Sequence, residues 1–291
     1  MPSPYSELLN RMPATRRTVD AGGVLTAYWE YGSADAATTI VAVHGFRGDH
    51  HGLEPVVAHL PGARWIMPDL PGFGETGPIP GREHDLDAYA DWLADFSAAV
   101  APGAVILGHS FGSIVASAAI ARGLRTPRLV LVNPIGAPAL EGPRGVLTRL
   151  AVFYYWAGAR LPESLGTWLL RTPIIVRIMS IAMAKTRDKG LRRWIHNQHD
   201  RYFSGFSDRE TLRQAFVTSV SHDVRESAGA IAVPTLLVAA VQDDITPIAA
   251  ERRLREMFDD ARLVEIDGVG HLIHYEKPRE AAETIAEFLG V

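Results

Sequence analysis

The first residues in this sequence that could do chemistry are Gly108-His109-Ser110-Phe111-Gly112. They stand between a β-branched run ending at Leu107 and a small-residue apolar run, Phe111–Ala121, with helical spacing. A serine on so tight a strand-to-helix turn needs small neighbours, and the turn pushes its hydroxyl out over the sheet edge. The start of the following helix favours negative charge developing beside it. That points to Ser110 as a nucleophile. A glycine-rich turn with a capping serine is the plainer alternative.

A serine hydroxyl near neutral pH needs a base. Among the 11 histidines, His271 follows directly on Gly268-Val269-Gly270, between the last strand-like run and the last helix-like one. His274 is its rival, but it already belongs to the run leading into Pro278. His109 reads as packing in the turn. The base in turn needs a carboxylate to hold its tautomer. Asp243 and Asp244 follow the run Thr235–Val241; Asp243 is the candidate acid and Asp244 a residue that bonds the loop. The end of the preceding run holds only the uncharged Asn133. A tetrahedral oxyanion needs backbone N–H donors. Phe111, next to the nucleophile, and Phe46, in His44-Gly45-Phe46 after Thr39–Val43, are the candidates. Arg47, His50 and His51 come next, and Arg47 is the candidate for contact with a polar or anionic substrate group.

These residues must be brought together by the elements around them. Thr18–Val19 and Val24–Tyr31 flank Ala21-Gly22-Gly23 as a hairpin. Thr39–Val43, Trp65–Met67, Val105–Leu107, Leu129–Val132, Thr235–Val241 and Arg262–Ile266 read as buried strands. Helical patterns lie between them over Leu86–Val100, with Asp85 as N-cap, and over Phe111–Ala121, Ala249–Phe258 and Arg279–Leu289. Such alternation predicts a mostly parallel sheet with helices on both faces, whose ligands bind at the carboxyl ends of the strands. Every candidate above sits at one of those ends.

The alternation breaks once. Residues 136–230 carry helical patterning with no convincing strand, many aromatics, and more basic than acidic side chains. A helical, aromatic, basic insert reads as a cap or lid over the site; a second packing layer is the plainer reading. The domains expected are therefore a core of residues 1–135 and 231–291 and a helical cap of residues 136–230.

His44-Gly45-Phe46, Asp69-Leu70-Pro71-Gly72-Phe73-Gly74, Gly108-His109-Ser110-Phe111-Gly112, Asp243 through Pro247 and Gly270-His271 together resemble the α/β-hydrolase superfamily, in its serine hydrolase and esterase branch. The order Ser, Asp, His along the chain is that superfamily's order. The resemblance covers nearly everything outside the insert. It implies the α/β-hydrolase fold, a mostly parallel eight-stranded sheet, with a helical cap after the sixth strand. It also implies Ser110 as nucleophile, Asp243 as acid, His271 as base, and Phe46 and Phe111 as oxyanion donors, with Asp69 structural. Haloalkane dehalogenases and epoxide hydrolases place aspartate where Ser110 stands, and dienelactone hydrolases place cysteine there. A glycine often found three residues before the acid is here Ala240.

Composition narrows the function further. The 291 residues include 47% hydrophobic and 21% charged side chains, which excludes a disordered or collagen-like chain. The net charge of −4 gives no global basic field for nucleic acid. The absence of cysteine excludes thiolate metal sites, disulfides and a cysteine nucleophile. No signal-like apolar run opens the chain, and Leu150–Ala159 is too short to span a bilayer, so a cytoplasmic protein without an integral membrane segment is expected. The apolar stretches Leu147–Trp156 and Ile174–Ala184 could face a pocket, a partner or a membrane surface.

The expected reaction is acyl transfer from a small or medium apolar carboxylic ester to water, with a small-molecule substrate and no metal or organic cofactor. Competing readings use the same triad: hydrolysis of a C–C bond in a vinylogous diketone, a lyase step, a perhydrolase or haloperoxidase side activity, or a ligand receptor that keeps the triad.

Overall fold

A computed structural model of the chain describes residues 3–138 and 145–291; residues 139–144, near the start of the expected insert, lie outside the described residues. The strand-like runs form one eight-stranded sheet. The strands are β1 (Thr15–Ala21), β2 (Val24–Tyr31), β3 (Thr39–Val43), β4 (Arg64–Pro68), β5 (Val105–His109), β6 (Leu129–Val132), β7 (Thr235–Ala240) and β8 (Ala261–Ile266). Their order is β1-β2-β4-β3-β5-β6-β7-β8. β2 is antiparallel to both of its neighbours, and β4 through β8 pair in parallel. The β1–β2 hairpin turns on Gly22 and Gly23, whose φ angles of 60° and 87° need no Cβ.

The central strands are apolar at nearly every interior position because both faces are covered. Successive side chains go to opposite faces. Val41, Val43, Ile106, Leu129 and Leu131 join one core, and Ile40, Ala42, Leu107, Val130 and Val132 the other. The first core is closed by the helices Leu86–Val100, Phe111–Ala121 and Ile248–Glu256, through Tyr89, Leu93, Ile114 and Leu254. The second is closed by Glu54–Ala58 and Pro278–Leu289, through Val56, Val57, Ala281 and Ile285. Asp85 caps Leu86–Val100 by accepting from the Ala88 amide at 2.8 Å.

Chain order reverses about β3: β4 lies on one side of it and β5 on the other. Loops leaving β3 and β5 therefore diverge and open a crevice at their carboxyl ends. Between β6 and β7 the described chain is helical: Gly145–Arg160, Glu163–Arg171, Pro173–Met183, Lys189–Tyr202, Arg209–Ser221 and Arg225–Ala228. Its one β-type contact with the core is the isolated bridge Phe73–Phe206.

The glycines of the Ser110 turn are required by close approach. A Cβ on Gly112 would press into the Val43 and His44 carbonyl oxygens, and one on Gly108 would lie 2.7 Å from the Ser113 Cα. Gly112→Ala should destabilise the fold by about 1–3 kcal/mol through this overpacking. Thermal unfolding checks it; an unchanged midpoint would mean that the helix does not press on β3.

Candidate active site

Ser110 occupies the junction between β5 and Phe111–Ala121, with φ 53° and ψ −118°. It is one of three non-glycine residues with positive φ among the described residues, the others being Arg47 and Asn133. A non-glycine residue held in such a region costs of order 1–3 kcal/mol and persists only where its surroundings over-determine it. Here the Ser110 amide donates to the Val132 carbonyl at 3.1 Å, continuing the β5–β6 ladder. Its carbonyl accepts from the Ser113 amide at 2.8 Å, and the Ser113 hydroxyl accepts from the Ile135 amide at 3.1 Å. The turn is thus tied to both β6 and the helix.

The loop after β8 brings His271 to this turn. Its Nε2 lies 2.8 Å from Ser110 Oγ and its Nδ1 2.7 Å from Asp243 Oδ2. The arrangement fixes the tautomer: Nδ1–H donates to Asp243, and Nε2 accepts from the serine hydroxyl. Asp243, in the loop after β7, is buried. Its Oδ1 accepts from the amides of Ile245 at 2.7 Å and Thr246 at 3.2 Å. Burial by itself would raise this carboxyl, but the His271 imidazole and the two amides outweigh it and hold the group below the ordinary carboxylate range. Asn133, at the end of β6, donates from Nδ2 to Asp243 Oδ2 at 3.0 Å. The two alternative acid positions thus meet, with the uncharged one supporting the charged one.

Phe111 opens its helix, so its N–H has no acceptor within the helix. The Phe46 amide has no protein acceptor among the described residues. The two loops touch: a Cβ on Gly45 would lie 3.1 Å from Ser110 Cβ. His44 sets the shape of the β3 loop. Its Nε2 accepts from the Leu70 amide at 2.9 Å, so Nδ1–H donates to the Gly45 carbonyl at 2.8 Å. The sequence placed His44 at the end of a strand, in the His44-Gly45-Phe46 motif; nothing in it announced the bond to a residue 26 positions away.

Other candidates go elsewhere. His274 is buried edge-on against His109, with ring centroids 4.1 Å apart, and makes no hydrogen bond to Ser110. Asp244 forms an ion pair with Lys185 of the insert. Asp69, fully buried, accepts from the His50 amide and from His50 Nδ1, both at 2.9 Å, and from the Glu75 amide at 2.8 Å. Arg47, expected to meet substrate, faces away from the cavity described below. Its buried guanidinium donates to the carbonyls of Leu170 at 2.9 Å and Phe203 at 2.7 Å, and to the Tyr155 hydroxyl at 3.3 Å. Leu170 and Phe203 end two insert helices, where carbonyls lack intrahelical donors and carry partial negative charge. Helix ends replace a carboxylate as the partner of a buried cation.

A cavity of about 140 Å³ opens over Ser110 and His271. Met179, Met183, Tyr202 and Phe203 of the insert and Leu53 and Ile245 of the core give it mostly apolar walls. A larger groove, about 500 Å³, lies at the opposite, amino end of the strands between Thr39, Arg64, Val105 and Arg128. None of the reactive groups reaches it. The cavity beside Ser110 is therefore the candidate site. An imidazole poised to take a hydroxyl proton, with the Phe111 amide at a helix start and the Phe46 amide in the adjoining loop, can support nucleophilic attack on a carbonyl.

The sequence profile of the Alpha/beta hydrolase family matches residues 40–284, and the chain belongs to that family. An uncharacterized hydrolase of Bacillus subtilis is 25% identical over 285 residues, covering 95% of this chain and 98% of that protein. A pimeloyl-[acyl-carrier protein] methyl ester esterase of Chromobacterium violaceum is 28% identical over 255 residues, covering 86% and 93%. Among solved structures, an esterase from Thermogutta terrifontis superposes with a TM-score of 0.74 at 23% identity, covering 95% of this chain and 98% of that one. An enol-lactonase from Burkholderia xenovorans does so with a TM-score of 0.77 at 20% identity, covering 94% and 100%. At these identities the superpositions establish the shared fold.

Several imidazoles are kept neutral around the site. Burial first, and neighbouring charges second, push His109 and His199 down to about 3; burial also lowers His44 and His274. The unfolded chain takes up these protons near 6.5 and the folded chain only below it, far below for His109 and His199. Their stabilisation is therefore complete above the unfolded value and is lost as pH falls toward the folded ones. Glu251 and Glu276, raised chiefly by burial, work in the opposite direction but are fewer. The thermal midpoint should fall as pH is lowered from about 7.5 to about 5. A flat or rising midpoint in calorimetry would contradict a neutral buried cluster.

Proposed function

We propose that the protein hydrolyses small or medium apolar carboxylic esters through an acyl-enzyme. Ser110 Oγ attacks the ester carbonyl while His271 Nε2 takes its proton. Asp243 steadies the imidazolium, and the Phe46 and Phe111 amides receive the oxyanion. The alcohol leaves with the proton held by His271. Water then adds to the acyl carbonyl through the same base, which frees the acid and restores the serine. The observation that carries this reading is the unbroken line of hydrogen bonds from Ser110 through His271 to Asp243. The relative named as a methyl ester esterase supports ester chemistry.

The apolar walls favour an apolar acyl group over a charged one. Residues 136–230 act in this reading as a cap: Pro173–Met183 and Lys189–Tyr202 close the acyl cavity, and Arg47 fastens the cap to the core. Substrate selection then rests on cavity shape and not on the Arg47 charge.

The reading is tested with p-nitrophenyl esters of increasing chain length. Short-chain esters should be the best substrates, with kcat/KM falling once the chain outgrows the cavity. Ser110→Ala and His271→Ala should each lower kcat by roughly 10³-fold or more, and Asp243→Asn by roughly 10²–10⁴-fold. Undiminished hydrolysis by Ser110→Ala would contradict the nucleophile. A wild type inert on the whole series but active on a vinylogous diketone would replace ester cleavage by C–C cleavage.

A further inference from the structure

The outward side of the insert is apolar in a way that the rest of the surface is not. Twelve large apolar side chains stand exposed among the described residues, and eight of them lie on three consecutive helices. Gly145–Arg160 exposes Leu150, Phe153 and Trp156; Glu163–Arg171 exposes Leu165 and Trp168; Pro173–Met183 exposes Ile174, Ile178 and Ile181. Each is at least 48% exposed, so these are not grazing contacts. Phe153 and Trp156 stack on each other with centroids 5.7 Å apart. Ile174, Ile178 and Ile181 recur at the spacing of one helical stripe. On the other side of that helix Met179 and Met183 line the cavity, while Val176 and Ser180 are buried. The cavity accounts for the inner apolar face. Nothing in the described chain covers the outer one.

The charges on these helices are predominantly basic. Arg149, Arg160, Arg171 and Arg177 are exposed on the same three helices, and Glu163 is their only acid. Arg149, Phe153, Trp156 and Arg160 share one face of their helix by spacing, and Arg177 lies between Ile174 and Ile178. Arg177 pairs with Asp200, and Arg171 donates to the Phe206 carbonyl, so each is anchored close to the patch. Aromatic and branched apolar side chains framed by guanidinium groups match a helix lying in a headgroup layer: apolar side chains enter the acyl boundary and arginines meet phosphates. A second copy of the chain fits less well. A two-fold contact would set this surface against itself and bring arginines against arginines.

Glu163–Met183 is the one described helical stretch whose length and mean hydropathy, 1.3, would let it cross a membrane. It is broken at the extended residue Thr172, and Leu170, Val176 and Ser180 are buried inside the protein. The stretch is therefore placed to lie on a bilayer and not through it.

We infer that the outer face of Gly145–Arg160, Glu163–Arg171 and Pro173–Met183 docks onto the surface of an anionic lipid bilayer. This goes beyond the proposed ester hydrolysis and does not depend on it, because binding is read without turnover. The test is cosedimentation of the full chain with phosphatidylglycerol and with phosphatidylcholine vesicles. Binding should be at least tenfold tighter to phosphatidylglycerol and weaken as salt is raised. The combined variant Phe153→Ser, Trp156→Ser, Ile178→Ser should lose tenfold or more in affinity. Arg149→Gln with Arg160→Gln should reduce the preference for phosphatidylglycerol. Both variants should keep the wild-type thermal midpoint, which shows that the fold is intact. As a readout that needs no variant, brominated phosphatidylglycerol should quench tryptophan emission through Trp156 and Trp168. No wild-type binding to phosphatidylglycerol, undiminished binding by the triple variant, or no quenching would overturn the inference. So would a wild-type dimer that the triple variant turns into a monomer, which would make this face a contact between copies.

Discussion

The backbone of Ser110 is the constraint on which the rest of the site depends. With φ 53° and ψ −118° it sits where a side-chain-bearing residue is strained, and the strain aims Oγ away from the sheet and toward His271. Relaxing it would mean breaking the Ser110–Val132 rung and lifting the following helix off β3. Gly108 and Gly112 make that helix seat possible, since a Cβ at either position would collide with main chain. The same seat brings the first turn of the helix beside the His44–Phe46 loop. A single backbone conformation therefore places both the hydroxyl and the Phe111 amide.

The sheet turns this local constraint into a site. Because chain order reverses about β3, its exit loop and that of β5 flank one crevice, and the loops after β7 and β8 arrive from one side with Asp243 and His271. Buried polar groups then fix each piece. Asn133 steadies Asp243, His44 folds the loop that carries Phe46, and Asp69 ties the chain after β4 to His50. The insert is held by a different device. Each nitrogen of the Arg47 guanidinium donates into the insert, to the ends of two of its helices and a tyrosine hydroxyl. If the insert swung away, these three hydrogen bonds would be exchanged for bonds to water, a net loss of about 1 kcal/mol each. Arg47 opposes wide opening of the insert.

Most of the sheet and the reactive groups were legible because their signals are local. Strands buried on both faces read as continuous apolar runs, and a serine between glycines after such a run reads as a turn. The edge elements were less legible: β1 extends from Thr15, beyond the two residues whose β-branching marked it, because pairing with β2 and not side-chain burial defines it. The short helix Glu54–Ala58 carries no long amphipathic pattern and was not readable as a helix. Arg47 could not be placed from sequence, since its partners are main-chain carbonyls 123 and 156 residues away and a carbonyl has no residue type. The partnership of Asn133 with Asp243 was hidden for a related reason, because the two positions looked like alternatives until the sheet set β6 beside β7.

The central claim, that this one strained serine is the activated nucleophile, is tested most directly by peptide mapping after reaction with a fluorophosphonate. Such a reagent phosphonylates only a serine whose neighbours deprotonate it and accept the developing charge. The account predicts a single adduct on the peptide containing Ser110, formed slowly or not at all when His271 is replaced. An adduct on another residue, or none on the intact wild-type protein, would contradict it.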